Sequence, residues 1–348
     1  MIKTNGYYEY QGAIHIHTTD SDGNASLEEV ARLAEETGLD FIMLSDHMTL
    51  RSRQAGKEGF YGKTLALIGY EHNDPEDCNH YLLFNIDDVL PAEMTAQEYV
   101  KAGNDKGALG IIAHPDEVRP RTGKFPSYPW LAWDADQFDG IEIWNQMSEW
   151  MEKLTPFNKL KMIFSPRKFM KSPTDRVLQI WDDANRRRKI VGIGGVDAHA
   201  FPYKIGPFKI IIFPYKVQFR SIRNYLLLKE ELSKDPGRAA HQVYSALKEG
   251  NVFIANCRWG DASGFSFTAK RGEERVISGG RLESHQDSVI NVSLPQRGSI
   301  RLFADGICVS QTKSDSLNYM PLHNGLYRVE VYKGSKGWIF SNHIRIGV

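Results

Sequence analysis

Histidines and carboxylates in this sequence recur where apolar runs end, and that combination of residue types is the chemistry of metal coordination. His15-Ile16-His17 closes the run AIHIH. Two residues apart on a strand, both imidazoles point to one face and can bind one ion. Asp22 follows in Ser21-Asp22-Gly23, where Asp-Gly also serves as ordinary turn chemistry. Asp46-His47 ends a second run; His47 is a ligand candidate, and Asp46 is expected to orient a neighbour from behind. Gly69-Tyr70-Glu71 ends a third, and a carboxylate there can bridge two cations, which imidazole cannot. His72 follows at once but would face away. His80 opens a fourth run, His114-Pro115 ends a fifth, and Gly194-Gly195-Val196-Asp197-Ala198-His199 ends a later one. Asp197 and His199 share a face by period two, and the glycines allow close backbone approach.

Taken singly, each residue also fits a hydrogen-bonded structural role or a solvated loop. Together they form a set of six histidines and three carboxylates, without cysteine. Such ligation suits zinc, manganese or iron rather than calcium or magnesium. Two or three divalent ions are expected. A polynuclear site of this kind generates hydroxide at neutral pH and clamps the attacking and leaving oxygens, so the expected reaction is hydrolysis. Arg119, Arg121 and Lys124 follow the His114 motif directly and are candidates to receive an anionic substrate. Arg186 to Lys189 fits the end of a helix, where cations suit the macrodipole.

These residues need elements that bring them together. Up to about residue 213 the runs AIHIH, DFIMLSD, LALIGYE, HYLLFNI, ALGIIAH, GIEIW, IVGIGGVD and FKIIIF read as buried strands, alternating with amphipathic stretches. SLEEVARLAEETG has Ser26 and Glu29 as a capping box and Gly38 as a stop; Thr95 opens a second helix. This alternation predicts a parallel α/β barrel whose C-terminal rim carries the site. A Trp-, Met- and Arg-rich stretch at about 145–188 reads as a helical insertion, and about 216–250 as a helical region. From 252 onward short alternating strands predict a small antiparallel β-sandwich, with Asp305-Gly306 as a hairpin turn. The expected domains are 1–251 and 252–348.

The 348 residues carry a formal net charge of +0, so no bulk basic field points to extended nucleic acid. No apolar run is long enough to span a bilayer, and three widely spaced cysteines, Cys78, Cys257 and Cys308, do not make a disulfide framework. The chain is expected to be cytoplasmic, to act on a small-molecule ester and to have the option of forming a homo-oligomer.

HIHTTDSDG, LSDH, IIAHP and GGVDAH, with GYE between them, resemble the motifs of the PHP (polymerase and histidinol phosphatase) superfamily over about residues 10–213. The resemblance implies a distorted (β/α)7 barrel with up to three metal ions at its mouth. It places His15, His17, Glu71 and Asp197 on one ion, with Glu71 bridging to a second held by His80 and His114. Asp22, His47 and His199 would hold the third. A metal-bound hydroxide held by Glu71, Asp197 and His199 would be the nucleophile. Ala13-Ile14 stand where the superfamily has an acidic residue before the first motif. GIEIWN, ALKEGNVFIAN and WIFSNHIRI resemble the CehA/McbA (carbaryl hydrolase-like) branch. The expected activity is hydrolysis of a phosphate mono- or diester. The alternative is a carboxylic or carbamic ester, with Trp144, Met147, Trp150, Met151, Phe157 and Phe164 lining an apolar pocket.

Overall fold

Seven of the apolar runs close on themselves. The strands are β1 (Tyr7–Ile16), β2 (Phe41–His47), β3 (Thr64–His72), β4 (Tyr81–Phe84), β5 (Leu109–Ile112), β6 (Gly140–Asn145) and β7 (Val191–Ala198). In the computed structural model, which describes residues 2–119, 126–155, 157–205 and 208–348, each pairs with the next and β7 returns to β1. The fold is thus mixed α/β with a closed seven-strand barrel. All barrel pairings are parallel except the two made by β4, which is antiparallel to both neighbours. That reversal brings His80, just before β4 begins, to the same rim as the C-terminal ends of the others.

Alternate strand residues pack to opposite sides, as the strand period requires. Phe41, Met43, Leu65, Leu67, Ile111 and Ile193 join Val243 and Leu247 of helix Pro236–Glu249 in one core. Ile42, Leu44, Ala66, Ile68, Ile112 and Ile141 join helices Leu27–Glu36 and Ala96–Asp105 in another. Ser26 caps the first helix by accepting from Glu29 N at 3.3 Å, while the Glu29 carboxylate turns to Arg32. Thr95 and Glu98 complete a capping box on the second. Between β6 and β7 the chain forms helices Gln146–Glu152, Lys159–Phe164 and Asp175–Arg187.

Two expectations are corrected. FKIIIF does not supply a barrel strand: Phe208–Ile212 pairs with Phe201–Ile205 in a separate hairpin. The barrel has already closed by the pairing of Ile14 with Gly195 and Ile16 with Ala198, leaving no edge for it to join. The region 216–250 is not helical throughout, because Ile222–Leu228 is a strand paired with both β1 and Val252–Asn256. Its residues are buried nearly end to end, and a run rich in Ile, Tyr and Leu satisfies its backbone by bridging two strands.

From residue 266 onward, strands Ser266–Arg271, Ser288–Ala304, Ile307–Tyr319, Gly325–Lys333 and Lys336–Ser341 pair antiparallel around Phe267, Ile300, Leu302, Val329, Val331 and Trp338. Asp305 and Gly306 both have positive φ, 49° and 84°, and turn the Ala304–Ile307 hairpin in two residues. Hydrogen bonding is continuous across residue 251, since Val252–Asn256 pairs with Lys336–Ser341 on its other side. Among the described residues no helix is long and apolar enough to cross a membrane.

Candidate metal centre

The barrel rim brings six histidines and three carboxylates together in four overlapping groups, each with ligand atoms within 4.8 Å of one another. They are His17, Asp22, His47 and His199; His15, His17 and Glu71; His15, His114 and Asp197; and Glu71, His80 and His114. All but Asp22 and His47 are buried. Glu71 sits between the groups with its two oxygens divided. Oε2 faces His15 Nε2 at 3.0 Å, His17 Nε2 at 3.3 Å and His47 Nδ1 at 3.6 Å. Oε1 faces His80 Nδ1 at 2.8 Å and His114 Nε2 at 3.3 Å. A carboxylate so divided could serve two cations. Asp197 Oδ1 lies 3.5 Å from both His15 Nε2 and His17 Nε2, and Asp22 Oδ2 lies 3.3 Å from His199 Nε2. The His17 ring stacks against both His47 and His199, at 4.6 and 4.1 Å between centroids.

Local backbone explains how these side chains converge. His15, His114 and Asp197 all have positive φ, at 67°, 26° and 50°, which non-glycine residues rarely adopt. His15 falls at a register irregularity: Ile14 and Ile16 pair with Met43 and Leu44, leaving one residue extra on β1. His15 and His17 therefore meet Glu71 through a bulge, which re-aims a side chain, rather than through regular alternation. Two glycines make room. A Cβ on Gly195 would fall 1.4 Å from Glu142 Oε1, and one on Gly23 would fall 2.3 Å from the His17 carbonyl oxygen.

Electrostatics follow from burial and proximity. Burial pushes the Glu71 carboxyl up, but His15, His47 and His80 around it hold it well below the usual carboxylate range. Burial pulls His17 down, yet the carboxylates of Asp197 and Glu71 raise it to about 9. His80 is likewise raised to about 9, against burial, by Glu71 and Asp77. Burial opposes ionisation of Asp22, and His199, His17 and His47 bring it down to about 2. The donor set fits divalent cations: among the described residues neither ring nitrogen of His17 makes a hydrogen bond, although the ring is fully buried, and imidazoles and carboxylates are the donors such cations take.

The remaining expected residues are placed as follows. Among the described residues Asp46 makes no hydrogen bond to a ligand side chain. It accepts from Thr18 N and Oγ1 at 2.7 Å each and from Ser21 Oγ at 2.7 Å, pinning the loop that presents Asp22. His72 packs against Tyr99, 4.4 Å between ring centroids, outside the four groups. Arg119 donates from Nη2 to Glu117 Oε1 at 2.6 Å and lies over the Tyr128 ring, which stacks on His80. Arg121 and Lys124 lie outside the described residues. Of the apolar set, Trp144, Met147 and Trp150 are buried in core clusters, while Phe157 and Phe164 are 99% and 71% exposed. They do not form one wall at the mouth.

Two residues escape the sequence reading. Glu142, buried in the middle of GIEIWN, holds His15 Nδ1 at 3.0 Å through Oε1 and accepts from His114 N at 2.8 Å and Asn145 Nδ2 at 2.9 Å through Oε2. Asn73 lies between two histidines, with Oδ1 3.0 Å from His47 Nδ1 and Nδ2 2.9 Å from His80 Nε2. The only sequence signal for Asn73 is its position directly after GYEH.

The sequence matches no protein-family model and no curated protein. Among solved structures, it is similar to a two-domain protein from Bacteroides vulgatus containing a predicted PHP-like metal-dependent phosphoesterase. That likeness has 13% identity over 98% of this chain and 96% of that one, with a TM-score of 0.47. PsfC from Pseudomonas syringae is 13% identical over 68% and 88%, with a TM-score of 0.43. An amidohydrolase from Chromobacterium violaceum with bound sulfate is 13% identical over 54% and 87%, with a TM-score of 0.34. Values this low assign neither a family nor an activity to the chain.

Proposed function

We propose that the protein is a metal-dependent hydrolase that cleaves a phosphate mono- or diester of a small molecule. The observation that carries this reading is Glu71, whose two oxygens face separate groups of buried histidines at the mouth of a closed barrel. In this reading His15, His17, Glu71 and Asp197 would hold one ion, Glu71, His80 and His114 a second, and Asp22, His47 and His199 a third. Zinc, manganese and iron are the cations that suit such donors. When bound, they would lower the pKa of water and neutralise charge developing on the phosphoryl oxygens.

The chain's own residues orient the reactants. In this reading Glu71, Asp197 and His199 would align the attacking water, and Glu142, 3.0 Å from His15 Nδ1, would fix the tautomer and direction of His15. Asp46 and Gly23 hold the loop of Asp22 against the strand end. An apolar wall at the mouth would favour a carboxylic or carbamic ester; the dispersal of Trp150, Phe157 and Phe164 between core and surface gives that reading no such support. The test is a paired assay on an aryl phosphate and an aryl ester or carbamate, after elemental analysis and controlled metal re-addition. Turnover of the phosphate with bound divalent metal is expected. Turnover of the ester alone would overturn the substrate class, and a metal-free active enzyme would overturn the mechanism.

A further inference from the structure

Charge is not spread evenly along this neutral chain. The segments 153–172 and 198–220 contain ten lysines and arginines and no aspartate or glutamate. They fold together: Met162, Ile163 and Met170 from the first share one small core with Ile212 and Phe213 from the second. Lys159 also lies over the Tyr203 ring, 4.6 Å from its centroid. Lys153 pairs with Glu149 and Lys216 with Glu36, whereas Lys161, Lys168, Lys204 and Lys209 make no ion pair among the described residues. The hairpin of Phe201–Ile205 and Phe208–Ile212 sets Lys204 directly opposite Lys209, and both are exposed. Like charges directly opposite on a strand pair are destabilising, so the fold carries a repulsion that an external anion would relieve.

A second observation comes from the apolar side chains of the same body. Six of the twelve large apolar side chains exposed among the described residues lie in these two segments. Phe157, Leu160 and Phe164 are 99%, 60% and 71% exposed. Leu160 and Phe164 are one turn apart on helix Lys159–Phe164, while its Met162 and Ile163 enter the core. On the hairpin, the strand period puts Pro202, Lys204, Lys209 and Ile211 on the outer face, all exposed, and turns Tyr203, Ile210 and Ile212 to the core. Large apolar side chains interleaved with unpaired lysines, and no carboxylate among them, are the composition of a surface that lies at a lipid interface. There lysines reach anionic headgroups while phenylalanine and leucine enter the acyl boundary. A nucleic acid would engage the lysines but leave Leu160, Phe164 and Ile211 in water.

We propose that this face docks peripherally on an anionic membrane surface. Phe157, Leu160 and Phe164 would enter the headgroup region, and Lys161, Lys168, Lys204 and Lys209 would lie over the anionic lipids. The Phe201 ring, which opens the hairpin, stacks on His199 at 4.6 Å between centroids, so the face begins at the rim of the barrel. The inference goes beyond the reading of the metal centre and holds whichever ester is cleaved there.

Co-sedimentation of the whole metal-loaded chain with vesicles tests this. Binding is expected to phosphatidylcholine vesicles containing about one third phosphatidylglycerol, with loss at about 0.5 M salt and little binding to pure phosphatidylcholine. Lys204→Gln with Lys209→Gln should weaken partitioning about thirtyfold, at about fivefold for each lysine. Leu160→Ser with Phe164→Ser should weaken it on the order of tenfold or more. Lys270→Gln with Lys313→Gln, exposed cations of the antiparallel strands, should leave it unchanged. All six positions are exposed, and a circular dichroism melt checks that each variant is folded. No binding to the anionic vesicles, equal binding to the neutral ones, or an equal loss in the Lys270 and Lys313 control overturns the proposal. Tighter retention on oligothymidylate than on vesicles, indifferent to the Leu160 and Phe164 changes, would assign the face to nucleic acid. A dimer in solution that the same two changes dissociate would assign it to a second copy of the chain. Either result also overturns membrane docking. None of these readouts involves turnover, so the phosphoesterase reading stands or falls separately.

Discussion

Two buried clusters in this molecule are built from histidine and carboxylate and differ in where their positive charge comes from. At the seam between helix Asp175–Arg187 and the last strands, Asp182 accepts from Arg328 Nε at 2.6 Å and Nη2 at 2.8 Å, and His343 Nε2 lies 2.7 Å from it. Arg328 also reaches Glu330, which accepts from Tyr332 OH at 2.7 Å. The cation is resident, and among the described residues one ring nitrogen, His343 Nδ1, is left without a hydrogen-bond partner. At the barrel mouth Glu71, Asp197 and Asp22 pair with imidazoles, joined by Asn145 at Asp197 and Ser21 at Asp22 but by no lysine or arginine among the described residues, and among these both His17 nitrogens lack a hydrogen bond. Residue type does not separate the two clusters. The presence of a fixed cation does, and that is the physical ground for reading one as a structural lock and the other as a centre for metal.

The strongest way to break this comparison is to remove the paired imidazoles. His15→Ala combined with His17→Ala is expected to eliminate bound divalent metal and bring turnover down by about three orders of magnitude, the scale on which losing electrostatic stabilisation acts. Elemental analysis beside a circular dichroism melt checks it. A folded double variant that keeps its full metal content would show that the mouth is a second structural cluster.

Arg328→Met addresses the other side. It leaves Asp182 and Glu330 buried beside an apolar side chain, and breaking a buried pair in this way costs about 3–5 kcal/mol. Denaturant unfolding should register that loss, while the metal content of each folded molecule stays as in wild type. Lost metal with stability unchanged would reverse the assignment of the two clusters.

The sequence shows these clusters unevenly. The mouth is legible because its ligands end apolar runs, and strand ends in a barrel converge on one rim. The reason His15 and His17 face together is not legible, since it lies in a bulge and a positive φ instead of the strand period. Glu142 lies inside GIEIWN, which reads as a buried strand and not as a histidine's partner, and Asn73 carries no motif in its loop; only the closed barrel puts them beside histidines. The strand Ile222–Leu228 reads as part of a helical region because its pairing partners lie more than two hundred residues away on β1 and just beyond the next helix. The seam is silent for the same reason, as Asp182 and Arg328 are 146 residues apart. Local pattern reports strand ends; it does not report which distant charge meets which.

Glu142 sharpens the comparison at intermediate scale. Its carboxylate ties His15 Nδ1, the His114 amide and Asn145 into one unit behind the mouth. Glu142→Gln keeps size and one acceptor but removes the charge that makes His15 a better donor. Partners of this kind are worth about 10–100-fold in metal affinity. Competition with a chromophoric chelator should show a loss of that size, with the unfolding midpoint of the metal-free protein shifted much less. Equal chelator curves for variant and wild type would remove Glu142 from the centre.

The smallest effect concerns pH at the seam. Burial disfavours the Asp182 anion, but His343 and Arg328 more than offset it and bring Asp182 down to about 2 from its ordinary 3.8. A carboxyl depressed in the folded state adds stability that is complete above the unfolded value and is lost as pH falls through the folded one. The contribution is therefore full above pH 4, drains between 4 and 2, and amounts to roughly 2 kcal/mol. His343 acts in a separate window: burial lowers its proton affinity, so its share is lost as pH falls below 6.5. Urea unfolding of wild type and Asp182→Asn from pH 7 to pH 2 resolves the two. The gap between the curves should narrow only in the lowest two units. A gap that is flat down to pH 2 would mean that Asp182 is not held as an anion, and that the seam has no more resident charge pairing than the mouth.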